Sequence, residues 1–258
     1  MNFASDNAYG VMPEILRALA DANVGAAPSY GDDEITNRVE RNLAGIFERE
    51  LVVFPVVTGT AANALGLATI CPPHGAIFCH AESHIATDEC GAPEFFTHGG
   101  KLVLIEGEHG KVMPGAISEA LPYFQRGVHS SKPSAVSITQ LTELGTVYTR
   151  AEVAALADCA HANDMRLHMD GARFANALVH RIAIWWSAVA SAHGNSELHR
   201  SRLLIVTVVG ETRRLRSLTV VSDKGVATGK SRKDLLPKDF ADDGGNLFPS
   251  PCAFQAFG

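Results

Sequence analysis

The chain has 258 residues, 46% apolar and 19% charged, which is enough to bury the core of a large α/β domain and excludes a disordered or fibrous protein. Its formal net charge of −6, with a sequence pI near 6.0, offers no global attraction to nucleic acid or anionic membrane, so neither is expected as a partner. Five cysteines (Cys71, Cys79, Cys90, Cys159 and Cys252) include no C-x-x-C pair, which argues against a disulfide framework or a zinc site and for a reducing compartment, the cytoplasm. Asp6 interrupts any secretory leader, and no stretch of about 18 apolar residues is present to span a bilayer, so a soluble, untargeted protein is expected.

In chain order, Pro13–Ala22 reads as a short helix with proline in its first turn, and residues 33–47 as a longer amphipathic one with Ile35, Val39, Leu43 and Phe47 on one face. Residues 51–57 form a β-branched run, and Thr58-Gly59-Thr60-Ala61-Ala62-Asn63 then leads into an Ala/Leu-rich helix reaching Ile70. Further strands are predicted at residues 76–79, 101–105, 135–139 and 166–169, with a helix over 150–163. This alternation predicts an α/β fold with a mostly parallel sheet and crossover helices.

The character of the chain changes near residue 180. Residues 1–180 hold 11 Lys+Arg and 21 Asp+Glu, a net of −10, whereas residues 181–258 hold 11 and 7, a net of +4. Clusters such as Thr212-Arg213-Arg214-Leu215-Arg216 and Lys230-Ser231-Arg232-Lys233 read as a solvated surface or tail.

Three places suggest chemistry. Thr58-Gly59-Thr60, at a strand-to-helix turn, leaves backbone N–H groups and the positive helix end for an anion such as phosphate, or simply makes a tight connection. In Leu167-His168-Met169-Asp170-Gly171-Ala172-Arg173 an apolar strand ends in an acid followed by a cation, where ligands of open α/β sheets gather. There Asp170 either pairs with a cationic ring nitrogen or caps a helix, and Arg173 either holds an anionic group or lies on the surface. In His80-Ala81-Glu82-Ser83-His84 the spacing is wrong for a zinc site. One of the two histidines either stacks on a ring and moves a proton or is a structural loop residue. The remaining histidines, among them His74, His98, His109, His129 and His161, default to the surface.

Taken together and in this order, these segments resemble the threonine aldolase family of pyridoxal-phosphate enzymes, of fold type I and the β-eliminating lyase superfamily. The resemblance runs from about Phe3 to about His180. Its motifs are Phe3-Ala4-Ser5-Asp6-Asn7, Tyr30-Gly31-Asp32-Asp33, residues 58–63, residues 79–85 with 88–92, residues 137–148, and His168-Met169-Asp170-Gly171-Ala172-Arg173. It implies a pyridoxal-phosphate-dependent transferase-like large domain over residues 1–180. It also implies retro-aldol cleavage of threonine or allo-threonine to glycine and acetaldehyde, on an amino-acid substrate, in a homodimer or homotetramer and with no metal. By the same resemblance Gly59 and Thr60 hold the cofactor phosphate. His84 stacks on the ring and is the candidate base, and Asp170 keeps the ring nitrogen protonated. Ser5 and Arg173 hold the substrate carboxylate, Tyr30 and Glu89 line the pocket, and His129 approaches the β-hydroxyl.

The family pattern also requires a Schiff-base lysine downstream, and after Val179-His180 the sequence leaves that pattern. The charge change at the same point suggests a changed reading frame or an unrelated tail over residues 181–258. In a rival reading, residues 203–209 and 217–221 form a hairpin that takes the place of the two expected final strands. Lys224, after the second run and before Gly225, is then the lysine candidate, against a surface turn. An inactive homologue without that lysine, or another pyridoxal-phosphate β-eliminating lyase, are the alternative functions.

Overall fold

The computed structural model describes residues 10–47, 51–180, 203–208 and 217–222. By internal contacts the chain divides into residues 1–224 and 225–258; the second unit lies outside the described residues.

The helices are α1 (Pro13–Ala22), α2 (Glu34–Phe47), α3 (Gly59–Ala68), α4 (His84–Thr87), α5 (Ala92–Phe96), α6 (Pro114–Ala120), α7 (Arg150–Ala162) and α8 (Phe174–His180). The strands are β1 (Leu51–Val56), β2 (Gly75–His80), β3 (Lys101–Ile105), β4 (Lys132–Thr139), β5 (Arg166–Asp170), β6 (Leu203–Val208) and β7 (Ser217–Ser222). They form one seven-stranded sheet in the order β1-β6-β7-β5-β4-β2-β3. All neighbours are parallel except at β7, which runs antiparallel to both β6 and β5. The expected hairpin strands thus exist and fill the gap between β1 and β5, so the strand carrying Asp170 is paired on both sides.

The helix starts follow local chemistry. Proline occupies the first turn of α1, where its missing N–H costs nothing. Thr58 caps α3, its hydroxyl accepting from the Ala61 N–H at 3.1 Å. Thr149 and Glu152 close a reciprocal capping box on α7. Observed ends coincide with the predicted ones at α1 and β3 and elsewhere differ by up to three residues. The largest change is at β4, which begins at Lys132 because its backbone N–H donates to His74 O at 2.9 Å, before the apolar run starts.

Alternation along the central strands divides the core into two faces. Ala76 and Phe78 of β2, Val136 and Ile138 of β4, and Leu167 and Met169 of β5 join the larger core with residues of α2, α6 and α7. Ile77, Cys79 and Ala135 join a smaller core with Leu67 of α3 and Ile85 of α4. The result is an α/β/α arrangement in which α3 covers the second face. The edges are managed as open sheets require: Pro55 lies exposed on edge strand β1, and Lys101 and Leu104 are exposed on edge strand β3.

Candidate active site

Because Leu167 and Met169 point into the larger core, His168 and Asp170 point to the opposite face, beneath α3. Asp170, the last residue of β5, is 4% exposed. Its Oδ1 accepts from the Ala172 N–H and its Oδ2 from Asn63 Nδ2, each at 2.9 Å. Asn63 Nδ2 also donates to Glu89 Oε1 at 2.8 Å. Both acceptors are carboxylates, so the amide must turn its NH2 toward them. Asn63 is four residues after Gly59, one helical turn or about 6 Å along the same face of α3. The N–H groups of Gly59 and Thr60 head that helix, ahead of the ones Thr58 caps.

His84 opens α4, and its Nδ1 lies 2.8 Å from Glu89 Oε1. The imidazole is 40% exposed while the Glu89 side chain is fully buried. The hydrogen bond with Glu89 raises the His84 pKa above its ordinary value, against the opposing effect of burial. Glu89 also lies above the usual carboxylate range: burial outweighs the stabilising hydrogen bonds from His84 and Asn63. A carboxylate at Nδ1 favours the tautomer with its proton there, which leaves Nε2 as the nitrogen able to accept one.

The facing oxygens of Glu89 and Asp170 lie within 4.8 Å of each other and of the imidazole. Two carboxylate charges at that separation repel by about 3 kcal/mol at an effective dielectric of about 20. Two hydrogen bonds to charged groups, at roughly 1.5–3 kcal/mol each, are enough to offset it, and Asn63 supplies both. His84, Glu89 and Asp170 also form a set of potential metal donors, yet each is already engaged in this hydrogen-bonded relay.

Glu143 forms the neighbouring wall. It accepts from the His84 backbone N–H at 3.2 Å and from Arg173 Nη2 at 3.1 Å, while Arg173 Nε donates to Leu141 O at 3.2 Å. Below the site, fully buried His168 has its Nδ1 2.8 Å from Ser137 Oγ, and burial pushes its pKa down to about 4.

Of the residues named from sequence, Gly59, Thr60, His84, Asp170 and Arg173 gather around this corner through α3, Asn63 and Glu143. Glu89 stands behind His84, with its carboxylate enclosed. His80 belongs to the scaffold: its Nε2 is 3.0 Å from Gly107 O and its Nδ1 accepts from the Glu82 N–H at 3.1 Å. Gly107 permits this tight loop, since a Cβ there would meet Lys111 O at 1.9 Å. Tyr30 is exposed, with φ 65, in the turn before α2.

His129 lies apart from this group within the chain. It is exposed in the turn ahead of β4, whose first residue pairs with Gly75 and whose last pairs with Asp170. About 20 Å of strand therefore separates it from the site, and it does not join the His84 group of its own chain. Ser5 and Lys224 lie outside the described residues. In β7, Thr219 pairs with Asp170 and Ser222 with Leu167, so the strand runs away from the site end.

Sequence reasoning missed Asn63, Glu143, Ser137 and His168 as working parts. All four fall inside the quoted motifs, so their place was visible while their contacts were not.

The corner thus offers a helix N-terminus for an anion, a fixed carboxylate for a cationic ring, an imidazole to stack or move a proton, and a guanidinium for a carboxylate. A family model described as beta-eliminating lyase matches residues 2–200. The low specificity L-threonine aldolase of Pseudomonas aeruginosa is 44% identical over 175 residues, covering 68% of this chain and 50% of the relative. The low specificity L-threonine aldolase of Saccharomyces cerevisiae is 26% identical over 165 residues, 64% of this chain and 42% of its own. The chain spans about half the length of the curated relatives it matches. Among solved structures, a threonine aldolase from Leishmania major superposes with a TM-score of 0.72 at 25% identity, covering 85% of this chain and 61% of that one. An aromatic aminotransferase from Pyrococcus horikoshii, at 12% identity, superposes with a TM-score of 0.53 over 83% of this chain and 56% of its own. The fold is that of the fold type I large domain.

Proposed function

Because this chain belongs to the beta-eliminating lyase family, we propose that it binds pyridoxal phosphate and cleaves a β-hydroxy-α-amino acid such as threonine to glycine and an aldehyde. The observation that carries this reading is the relay Asp170–Asn63–Glu89–His84 at the carboxyl end of the sheet.

The residues fit the cofactor. A buried carboxylate steadied by two N–H donors suits a protonated ring nitrogen. The half-exposed imidazole beside it suits a ring face, and the head of α3, one turn from Asn63, suits a phosphate. When bound, pyridoxal phosphate supplies the electron sink for the pair left at Cα as the Cα–Cβ bond breaks. His84 Nε2 takes the proton of the β-hydroxyl, and Glu89 steadies the resulting imidazolium through Nδ1–H. Arg173 turns Nη1, the edge not engaged by Leu141 and Glu143, to the substrate carboxylate; the family resemblance gives Ser5 a share in holding that carboxylate and Tyr30 a place in the pocket lining. Residues 1–180 carry the proposed phosphate, ring and carboxylate contacts, while residues 181–258, divergent in sequence, supply β6 and β7 to the same sheet. The cysteine usage supports a cytoplasmic protein, and family membership supports a homodimer or homotetramer. Among the described residues no helix is long and apolar enough to cross a membrane.

The test is to supply the purified protein with pyridoxal phosphate and threonine and to assay glycine and acetaldehyde, with borohydride reduction and peptide mass spectrometry on a parallel sample. Both products, with a pyridoxyl group on one specific lysine, are expected; an adduct on Lys224 would require the chain after β7 to turn back toward Asp170. Release of ammonia and a keto acid from serine in their place indicates β-elimination. Cofactor lost on dialysis with no adduct overturns the catalytic reading and leaves an inactive homologue.

A further inference from the structure

We propose that Asn63 is a positioning residue whose two hydrogen bonds compensate the close Glu89–Asp170 pair, so that the pair takes up no shared proton and one member is free to hold the cofactor ring while the other holds His84. This inference rests on the function proposed above for its consequence, and on the ligand-free geometry for its cause.

Three observations carry it. First, one amide nitrogen donates to both carboxylates, at 2.8 and 2.9 Å, and its residue is 1% exposed, so no water competes for those bonds. Second, the two acids approach within 4.8 Å, where side-by-side charges are tolerated only if donors compensate them. Third, Glu89 Oε2 is buried and has no hydrogen-bond partner. It is therefore the atom on which a proton settles once the compensation is withdrawn. The other titratable or charged groups facing this pair are His84 from α4, Asp88 just after it, His168 from β5, and Glu143 with Arg173 beyond the imidazole. Of these, only His84 donates to either carboxylate among the described contacts, and it serves Glu89 alone.

With Asn63 in place, Glu89 is held against His84 Nδ1 and Asp170 is held where a cationic ring would meet it. Without it, the pair shares one proton. If Glu89 takes it, the tautomer of His84 is no longer enforced; if Asp170 takes it, the ring loses its counter-charge.

The experiment uses the full chain without cofactor at pH 7. Infrared difference spectra of Asn63→Leu against the native protein are expected to show the C=O stretch of a newly protonated buried carboxyl group. The band is expected to vanish in Asn63→Leu/Glu89→Gln, because a single remaining carboxylate has no neighbour to share a proton with. Asn63→Ser, which keeps one donor and is smaller, is measured alongside and should give a weaker band; circular dichroism verifies that each variant is folded. The band in the native protein, or its absence from both Asn63 variants, overturns the proposal. Pyridoxal phosphate affinity is then measured on the same proteins. Asn63→Leu should weaken binding about tenfold or more, the scale of one lost charge-assisted bond, and Glu89→Gln in that background should recover most of it. A merely packing role for Asn63 predicts no such recovery, and that result also overturns the proposal. Native protein with no affinity for the cofactor refutes the proposed function, while the infrared outcome still decides the role of Asn63.

Discussion

Two helices of ten residues each, α1 and α3, share length and a helix-favouring composition, yet α3 buries Ala62, Asn63, Ala64, Gly66 and Leu67 and α1 buries nothing. α1 is amphipathic, with Leu16 and Leu19 still 55% and 61% exposed and Arg17 paired to Glu14 at the surface. α3 is apolar all round and lies over β1, β6, β7 and β5, with α5 against it. A helix covered from both sides has no room for solvated side chains, so the one amide it carries must find its partners inside the protein. Asn63 finds them in Glu89 and Asp170, which is why the candidate chemistry lies under α3 and not under α1.

The comparison can be broken at several points. Asp170→Asn removes the carboxylate that α3 helps to hold, and the proposed threonine cleavage should fall by about 10²–10³-fold, the loss seen when a group aimed at developing charge is removed; kcat/KM at saturating cofactor measures it. Leu67→Ala, at a fully buried position of α3, should cost about 2–5 kcal/mol in urea unfolding. Thr58→Ala removes the α3 cap and should cost about 1 kcal/mol by the same measurement.

A smaller effect, screened at the half-exposed imidazole, is the pH dependence of the ligand-free protein. Both His84 and Glu89 have pKa values raised by folding. Each therefore binds its proton more tightly in the folded state, and each contribution to stability is lost as pH rises through the folded value. For His84 the contribution is complete below its ordinary value of 6.5 and disappears above it. Thermal melting of native protein against Glu89→Gln should show the advantage of the native chain shrinking as pH rises past neutrality; an advantage that grows instead contradicts the assignment. The smallest effect is Leu19→Ala, expected to change unfolding free energy by less than about 0.5 kcal/mol. A larger loss sharpens the comparison differently, since it means that α1 is covered in solution by a second copy or by chain outside the described residues.

Local pattern carried much of the architecture. The 3.6-residue spacing of Val39, Leu43 and Phe47, the apolar runs ending at Thr139 and Asp170, and the capped turn at Thr58 depend on neighbours in sequence, so the element order and the α/β class were legible from them. Asp170 could be placed at the carboxyl end of a strand for the same reason.

What residues 203–208 and 217–222 do was decided by register. As isolated apolar runs they read as a hairpin, but only pairing with β1 and β5 makes them the middle of the sheet, with β7 antiparallel to its neighbours. The two histidines of His80-Ala81-Glu82-Ser83-His84 are equivalent on paper; the tertiary structure gives His80 to Gly107 and His84 to Glu89. Asn63 and Asp170 stand 107 positions apart, and no periodicity reports a contact across that separation. The amino-acid order thus settles elements, capping and the face each side chain takes, because those are set by the nearest few residues. Which polar groups share a proton, and which histidine is left to move one, follows only from burial and from what the packed faces bring within hydrogen-bonding distance.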